Sequence, residues 1–179
     1  PRDISLFTVG EDIYASATPS EEVSSLRTST AEIETFLVDN AASKDVAVGG
    51  YDAYEVSFTL KPQSEGKTKV TLCNACGEKF SLEFDTENMT VLADRSESGK
   101  MTRIKSFVLM PAAPLGLCNS SDGYDVDVFV DKCSVEVFVD GGRIAMTNLV
   151  FPSESFDNIV FESTGESEIS NMFIHKIGK

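Results

Sequence analysis

The side chains best suited to bind a metal or attack a substrate are few: four cysteines and one histidine in 179 residues. Cys73 and Cys76 form a C-x-x-C pair. A redox pair of that spacing wants a βαβ neighbourhood and a helix starting at the first thiol. The flanks here, Lys67–Leu72 and Lys79–Phe84, read instead as strands. A structural zinc centre wants a second such pair or two histidines. Cys118 and Cys133 are too far apart for that, and His175 stands alone. The thiols therefore read as packed or loop residues, with a disulfide left open. His175 falls in a terminal strand as a packing or surface residue, with no nucleophile–base constellation around it. Asp125 and Asp127 alternate as calcium ligands can, but no D-x-D-x-D-G loop or closing Glu stands behind them. The residues point to no catalytic group, no metal and no cofactor. Asn88-Met89-Thr90 and Asn119-Ser120-Ser121 match the glycosylation acceptor pattern, which matters in a eukaryotic secretory host.

Acids outnumber bases by 29 to 15, a net charge of −14. Phosphate binding needs a cationic patch, so this balance excludes nucleic acid as partner and disfavours an anionic membrane surface. With 41% apolar and 25% charged residues the composition is that of a globular domain, and the length suits one. No apolar run is long enough for membrane insertion. The opening Pro1-Arg2-Asp3-Ile4 carries no leader pattern and reads as the middle of a longer protein.

The dominant rhythm is alternation at period two, broken by Gly, Asn, Asp and Pro, which predicts an all-β, two-sheet antiparallel sandwich. Strands are expected at Ile4–Val9, Ile13–Ser16, Ile33–Val38, Tyr54–Leu60, Lys69–Asn74, Lys79–Phe84 and Thr90–Asp94. Further strands are expected at Arg103–Leu109, Tyr124–Val130, Val135–Val139, Arg143–Phe151, Asn158–Glu162 and Ile169–Ile177. One short helix is signalled near the N-terminus. Thr18 would cap it, Pro19 would take its first position, and Val23 and Leu26 would form its buried side.

Tyr124–Phe151 fixes a register. A hairpin tip at Lys132-Cys133 sets Val130 opposite Val135, Val128 opposite Val137 and Val126 opposite Val139. A second tip at Gly141-Gly142, a pair suited to positive φ, sets Val139 opposite Ile144 and Val137 opposite Met146. One face is then wholly apolar, so a slip of one residue would turn it out to water. The other face is mixed, with Asp125, Asp127, Phe129, Ser134, Glu136, Phe138, Arg143, Ala145, Thr147 and Leu149. It is either a solvated face shielded by two aromatics or a docking surface. Phe129, Glu136, Phe138 and Leu149 are its candidate docking residues.

The run Tyr124 to Val139, YDVDVFVDKCSVEVFV, resembles the signature of the C-terminal β-sandwich of glycoside hydrolase family 32, the invertases, levanases and inulinases. The family reads F-V-D-R-S-S-V-E-V-F, then a Gly-containing turn, a strand and F-P. Here Gly141-Gly142 and Phe151-Pro152 stand in those places, and Lys132-Cys133 replaces Arg-Ser. Ala113-Pro114-Leu115 and Asp94-Arg95-Ser96-Glu97-Ser98-Gly99 match further upstream. Pro1–Leu6 is similar to the segment closing the family's catalytic domain, and Pro19–Arg27 to the piece that follows it.

The resemblance implies a non-catalytic module, residues 19–179, preceded by residues 1–18 as the tail of a catalytic β-propeller. The family's propeller carries an Asp nucleophile and a Glu acid as a retaining pair. Its W-x-N-D-P-N-G, E-C and R-D-P motifs are missing here, so no catalytic residue carries over and the chain alone is not an enzyme. The implied partner is the propeller of the same polypeptide. Two roles follow: a structural module that packs against the propeller and supports it, or a lectin-like module that holds a fructan oligosaccharide. The absence of Trp favours the first. A homodimer is a third arrangement. Residues 1–18 would fray, fold back or pair with a second copy, exposing Ile4, Leu6 and Phe7. Family habit places such proteins outside the cytoplasm, in the periplasm, at the cell surface or secreted.

Overall fold

The computed structural model describes residues 1–100, 112–118 and 121–178. Among the described residues, fifteen strands run in chain order. β1 (Arg2–Val9) and β2 (Asp12–Pro19) form a two-stranded hairpin of their own. β3 (Arg27–Ile33), β4 (Phe36–Val38) and β5 (Lys44–Ala47) lead into β6 (Tyr54–Pro62), β7 (Lys67–Cys73), β8 (Lys79–Asp85) and β9 (Thr90–Glu97). β10 (Ala112–Pro114), β11 (Tyr124–Asp131), β12 (Ser134–Val139), β13 (Ile144–Leu149), β14 (Asn158–Ser163) and β15 (Ser167–Ile177) complete the set. One sheet is ordered β10-β9-β8-β7-β14-β5. The other is ordered β13-β12-β11-β6-β15-β3, with β4 also pairing β15.

The two sheets pack as the predicted antiparallel sandwich. Leu72, Phe80, Leu82, Phe84, Ile159 and Phe161 face the core from one side, and Val56, Phe58, Leu60, Val126, Val128 and Val137 from the other. Phe161 meets Phe58 and Phe36 edge-on at 5.5 and 5.3 Å, and Phe84 stacks on Tyr124 at 6.0 Å. Such ring contacts add to the burial of large apolar side chains that drives the sheets together. The expected register of β11, β12 and β13 holds at every pair: Val130 with Val135, Val128 with Val137, Val139 with Ile144 and Val137 with Met146. The valine face is buried throughout.

The N-terminal expectations need correction. The short helix is a 3₁₀ turn over Glu21–Leu26, capped in position by Ser20 rather than Thr18. Pro19 ends β2, because that strand runs on to pair Arg2 with Pro19. Val23 is only half-buried and Leu26 is 50% exposed, so the turn has no buried side. Ile33–Val38 is not one strand but the end of β3, a break and β4. β5 and most of β3 carry too few apolar residues to show as alternation. The strand expected at Arg103–Leu109 lies outside the described residues.

Candidate functional site

The outer face of the seven-stranded sheet carries a straight row of side chains across six strands. Register places Thr147, Glu136, Phe129, Glu55, His175 and Thr30 side by side, from β13 to β3. A parallel row one step along holds Ala145, Phe138, Asp127, Ser57, Phe173 and Glu32. The valine alternation that buries one face of β11–β13 sends these residues to the other.

Two arginines from the N-terminal segment clamp the ends of this surface. Arg2 donates to Glu136 Oε2 at 2.9 Å and to Thr147 Oγ1, and its guanidinium lies 5.0 Å from the centre of the Phe138 ring. Arg27 grips Glu55 with both prongs, Nε to Oε2 at 2.7 Å and Nη2 to Oε1 at 2.6 Å. Glu55 is only 1% exposed although it points away from the sandwich core. A bidentate pair of this kind is among the strongest neutralisations a buried carboxylate can receive.

Between the clamps sits Asp127. Burial, then the neighbouring Glu55 charge, pushes its carboxyl up to about 6, with Arg27 opposing and Asp125 adding slightly. His175 is shifted the other way. Burial and then Arg27 disfavour its proton, against the pull of Glu55, and its Nδ1 is 2.8 Å from Thr30 Oγ1. His175 is thus a packed residue, as expected.

The hairpin is held by more than Arg2. Phe7 stacks on Tyr14 at 5.6 Å, and the Arg143 guanidinium lies 4.8 Å from the Phe7 ring centre. Ala17 N–H donates to Gly142 C=O at 3.0 Å. Gly142 has φ +73°, and a Cβ there would stand 2.1 Å from Ala17 O. The glycine that shapes the turn therefore also admits the hairpin. The opposite side of the hairpin is bare: Ile4, Leu6 and Ile13 are 68, 74 and 69% exposed. Phe7, expected among the exposed residues, is instead half-buried on the sheet side.

Of the candidate docking residues, Glu136 and Phe138 lie under the hairpin, with Phe138 only 2% exposed. Phe129 meets Phe138 edge-on at 5.9 Å and lines an open groove, while Leu149 stands 50% exposed at the sheet edge. The groove runs between residues 18–27 and the sheet. Its two lobes, about 220 and 310 Å³, share Pro19, Val23, Phe129 and Phe138. Sequence reasoning missed Arg27, Glu55 and the burial of Asp127. The one available signal was a glutamate between Tyr54 and Val56 in an apolar strand, opposite an arginine at the end of the 3₁₀ turn.

The cysteines play no part in this surface. Cys73 and Cys118 are half-buried, Cys76 and Cys133 exposed, and all four are free thiols. Burial and then the nearby Asp140 push the Cys118 thiol up to about 12.

Comparison with known proteins matches residues 22–176 to the family described as glycosyl hydrolases family 32 C terminal. A levanase of Bacillus subtilis (strain 168) is 26% identical over 183 residues, covering the whole chain but 27% of that protein. An extracellular exo-inulinase of Aspergillus awamori is 25% identical over 169 residues, 92% of the chain and 31% of the relative. The crystal structure of the A. awamori exo-inulinase superposes with a TM-score of 0.81 at 24% identity, over 100% of this chain and 35% of that one. The β-fructofuranosidase of Schwanniomyces occidentalis gives 0.78 at 18% identity, over 99% and 40%. The chain thus spans about a third or less of the curated relatives it matches. The catalytic domain of such enzymes is not in it. By its match over most of its length, the chain belongs to the C-terminal domain family of the family 32 glycosyl hydrolases.

Proposed function

We propose that this chain is the non-catalytic sandwich module of an extracytoplasmic fructan- or sucrose-hydrolysing enzyme, docked on the catalytic propeller of the same polypeptide. Residues 1–18 form the last piece of the propeller and residues 19–179 the module. The bare apolar side of the β1–β2 hairpin carries this reading. The hairpin is a sheet separate from both layers of the sandwich, and the family match begins only at residue 22. Its inner side is fastened to the candidate docking residues Glu136 and Phe138, while Ile4, Leu6 and Ile13 offer an outward strip. Contiguous exposed apolar strips are rare on monomers and mark interaction sites. The enzyme and secretion parts of the reading draw on relatives named levanase and extracellular exo-inulinase.

The test is docking. Mixed with the separately produced upstream domain of its own polypeptide, the chain should form a one-to-one complex in sedimentation velocity. Replacing Ile4→Asp and Leu6→Asp together should abolish the complex and leave the unfolding temperature of the sandwich unchanged. Failure to bind, or equal binding by the double variant, would overturn the docking role. A second copy occupying the strip would show as dimerisation that strengthens when salt screens the −14 charge.

A further inference from the structure

We propose that β3 is a self-association edge, along which two copies of this chain pair antiparallel about Thr30 and join their seven-stranded sheets. A strand edge carries unpaired N–H and C=O groups, and natural sheets blunt it with short length, proline, charge or cover. The two layers of the sandwich end in β10 and β5 on one side, and in β13 and β3 on the other. β10 is three residues long and ends in Pro114. β5 is four residues long and begins with Lys44-Asp45. β13 is covered at both ends. Ala17 N–H donates to Gly142 C=O just before it, Arg2 reaches Thr147, and Arg95 Nη1 donates to Leu149 C=O at 3.5 Å. β3 carries none of these devices. Its seven residues, Arg-Thr-Ser-Thr-Ala-Glu-Ile, include no proline and no lysine, and Arg27 through Glu32 are all exposed. β15 pairs with one side of it, and no described strand takes the other.

A second copy is the strand that fits this edge. Thr28, Ser29, Thr30 and Ala31 are short and uncharged, so another backbone can approach to the ~4.8 Å of a strand pair. Two hydroxyls turn back onto the parent sheet: Thr28 Oγ1 donates to Lys176 C=O at 3.5 Å, and Thr30 Oγ1 is 2.8 Å from His175 Nδ1. The edge is also charge-complementary to its own reverse. Arg27 and Lys176 lie toward one end, Glu32 and Glu34 toward the other. Antiparallel pairing sets the basic end of each copy on the acidic end of its partner, whereas parallel pairing would set like on like. Most of a surface with net charge −14 repels a second copy, and this stretch does not. Two-fold symmetry then fixes the register. Pairing all seven residues puts Thr30 opposite Thr30, Ser29 opposite Ala31 and Thr28 opposite Glu32. Threonine facing threonine is a favourable cross-strand pair. An unrelated peptide would need side-chain pockets beside the edge for its specificity, and β3 offers small polar groups instead. Seven residues a side fall well short of the roughly 20–30 of a standard interface, so the dimer is weak and forms at high concentration.

The test is sedimentation equilibrium of this chain over a rising concentration series, with amide hydrogen exchange read at each point. Association is expected to strengthen as salt screens the −14 charge, with exchange protection growing at residues 28–32. Thr30→Lys sets two ammonium groups opposite each other at the two-fold axis and should lower the association constant about fivefold, as should Thr30→Glu. Mixed together, these two variants should pair with each other more tightly than either pairs with itself, which requires a register centred on residue 30. Ser29→Glu combined with Ala31→Glu repeats the test clear of the Thr30 contact with His175, by setting acid against acid. Both sets should keep the unfolding temperature of the parent when dilute. A monomer at every concentration and salt, association indifferent to these variants, or protection confined to other strands would overturn the proposal. Loss of association in the Ile4→Asp, Leu6→Asp double variant would overturn it too, by making the hairpin strip the interface. So would protection of β3 that appears only when the upstream domain is added, because that domain would then hold the edge.

Discussion

On the outer face of the six-stranded sheet, charged pairs meet in water except at Asp85, 5% exposed, which the turn after β8 covers with hydrogen bonds from Glu87 N, Asn88 N and Asn88 Nδ2. Lys67 reaches Glu83 at 2.7 Å and Asp85 at 3.2 Å, and Lys79 reaches Glu97 at 2.6 Å, with both lysine side chains nearly half exposed. On the outer face of the seven-stranded sheet, Glu55 is sealed to 1% exposure and Phe138 to 2%. Both faces are made by the same alternation of inward apolar and outward polar residues. The difference comes from what lies on top: residues 1–27 cross only the second face, bringing Arg2 and Arg27 down onto it. Alternation decides which side of a strand a residue takes, and a distant segment decides whether that side is wet.

The contrast can be broken hardest at Arg27. Arg27→Ala leaves a carboxylate at 1% exposure without its counter-charge, and stranding one partner of a buried pair costs about 3 kcal/mol or more. Urea unfolding should show that loss. Glu55→Gln should cost much less, because the arginine, 37% exposed, can turn to water.

Asp127 sharpens the comparison with the opposite sign. Its carboxyl ionises near 3.8 when unfolded and about 6 when folded. Between those values the folded chain holds more protons, so this group lowers stability as pH rises through the window, and the full penalty stands at neutral pH. The shift corresponds to at most about 3 kcal/mol, and about 2 kcal/mol is expected after solvent screening. Asp127→Asn should therefore stabilise the chain at neutral pH, and the gain should vanish as pH falls toward 3.8. His175, whose depressed folded pKa costs stability at low pH, is common to both proteins and drops out of the difference. A variant no more stable than the parent at neutral pH would mean that Asp127 is better solvated than its position suggests.

Much of the sandwich was legible because burial on one face leaves a period-two trace. Val126 through Met146 fixed not only three strands but their pairing, since a slipped register would expose the whole row. The family resemblance, carried by the same hairpin, pointed to the same C-terminal domain family that the comparison matches over residues 22–176. The N-terminal quarter was harder. Thr18-Pro19 has a helix-start pattern, yet β2 continues through it because Arg2 pairs there, a contact local propensity does not contain. β3 reads Arg-Thr-Ser-Thr-Ala-Glu-Ile, an edge strand almost wholly exposed, and so leaves no apolar rhythm. Glu55 and Asp127 sit at outward positions and read as solvated. Their burial depends on Arg27 and the turn before it, which only folding brings over them.

The smallest effect is expected where the surface is open. Lys79 and Glu97 are 45 and 59% exposed, and their contact at 2.6 Å is as short as the grip of Arg27 on Glu55. Distance alone would rank the two pairs as equals. Water makes them unequal, because two exposed ions lose little hydration on meeting and regain it on parting, while holding both long side chains costs entropy. Exposed pairs therefore contribute under about 1 kcal/mol, screened further by salt. Lys79→Ala should shift the urea midpoint barely beyond error, and less at high ionic strength. A double-mutant cycle with Glu97→Ala should return a coupling near zero. The same cycle on Arg27 and Glu55 should return a large coupling that salt hardly reduces. Equal couplings would mean that the N-terminal segment does not seal the outer face in solution, and that the two sides of the sandwich are alike.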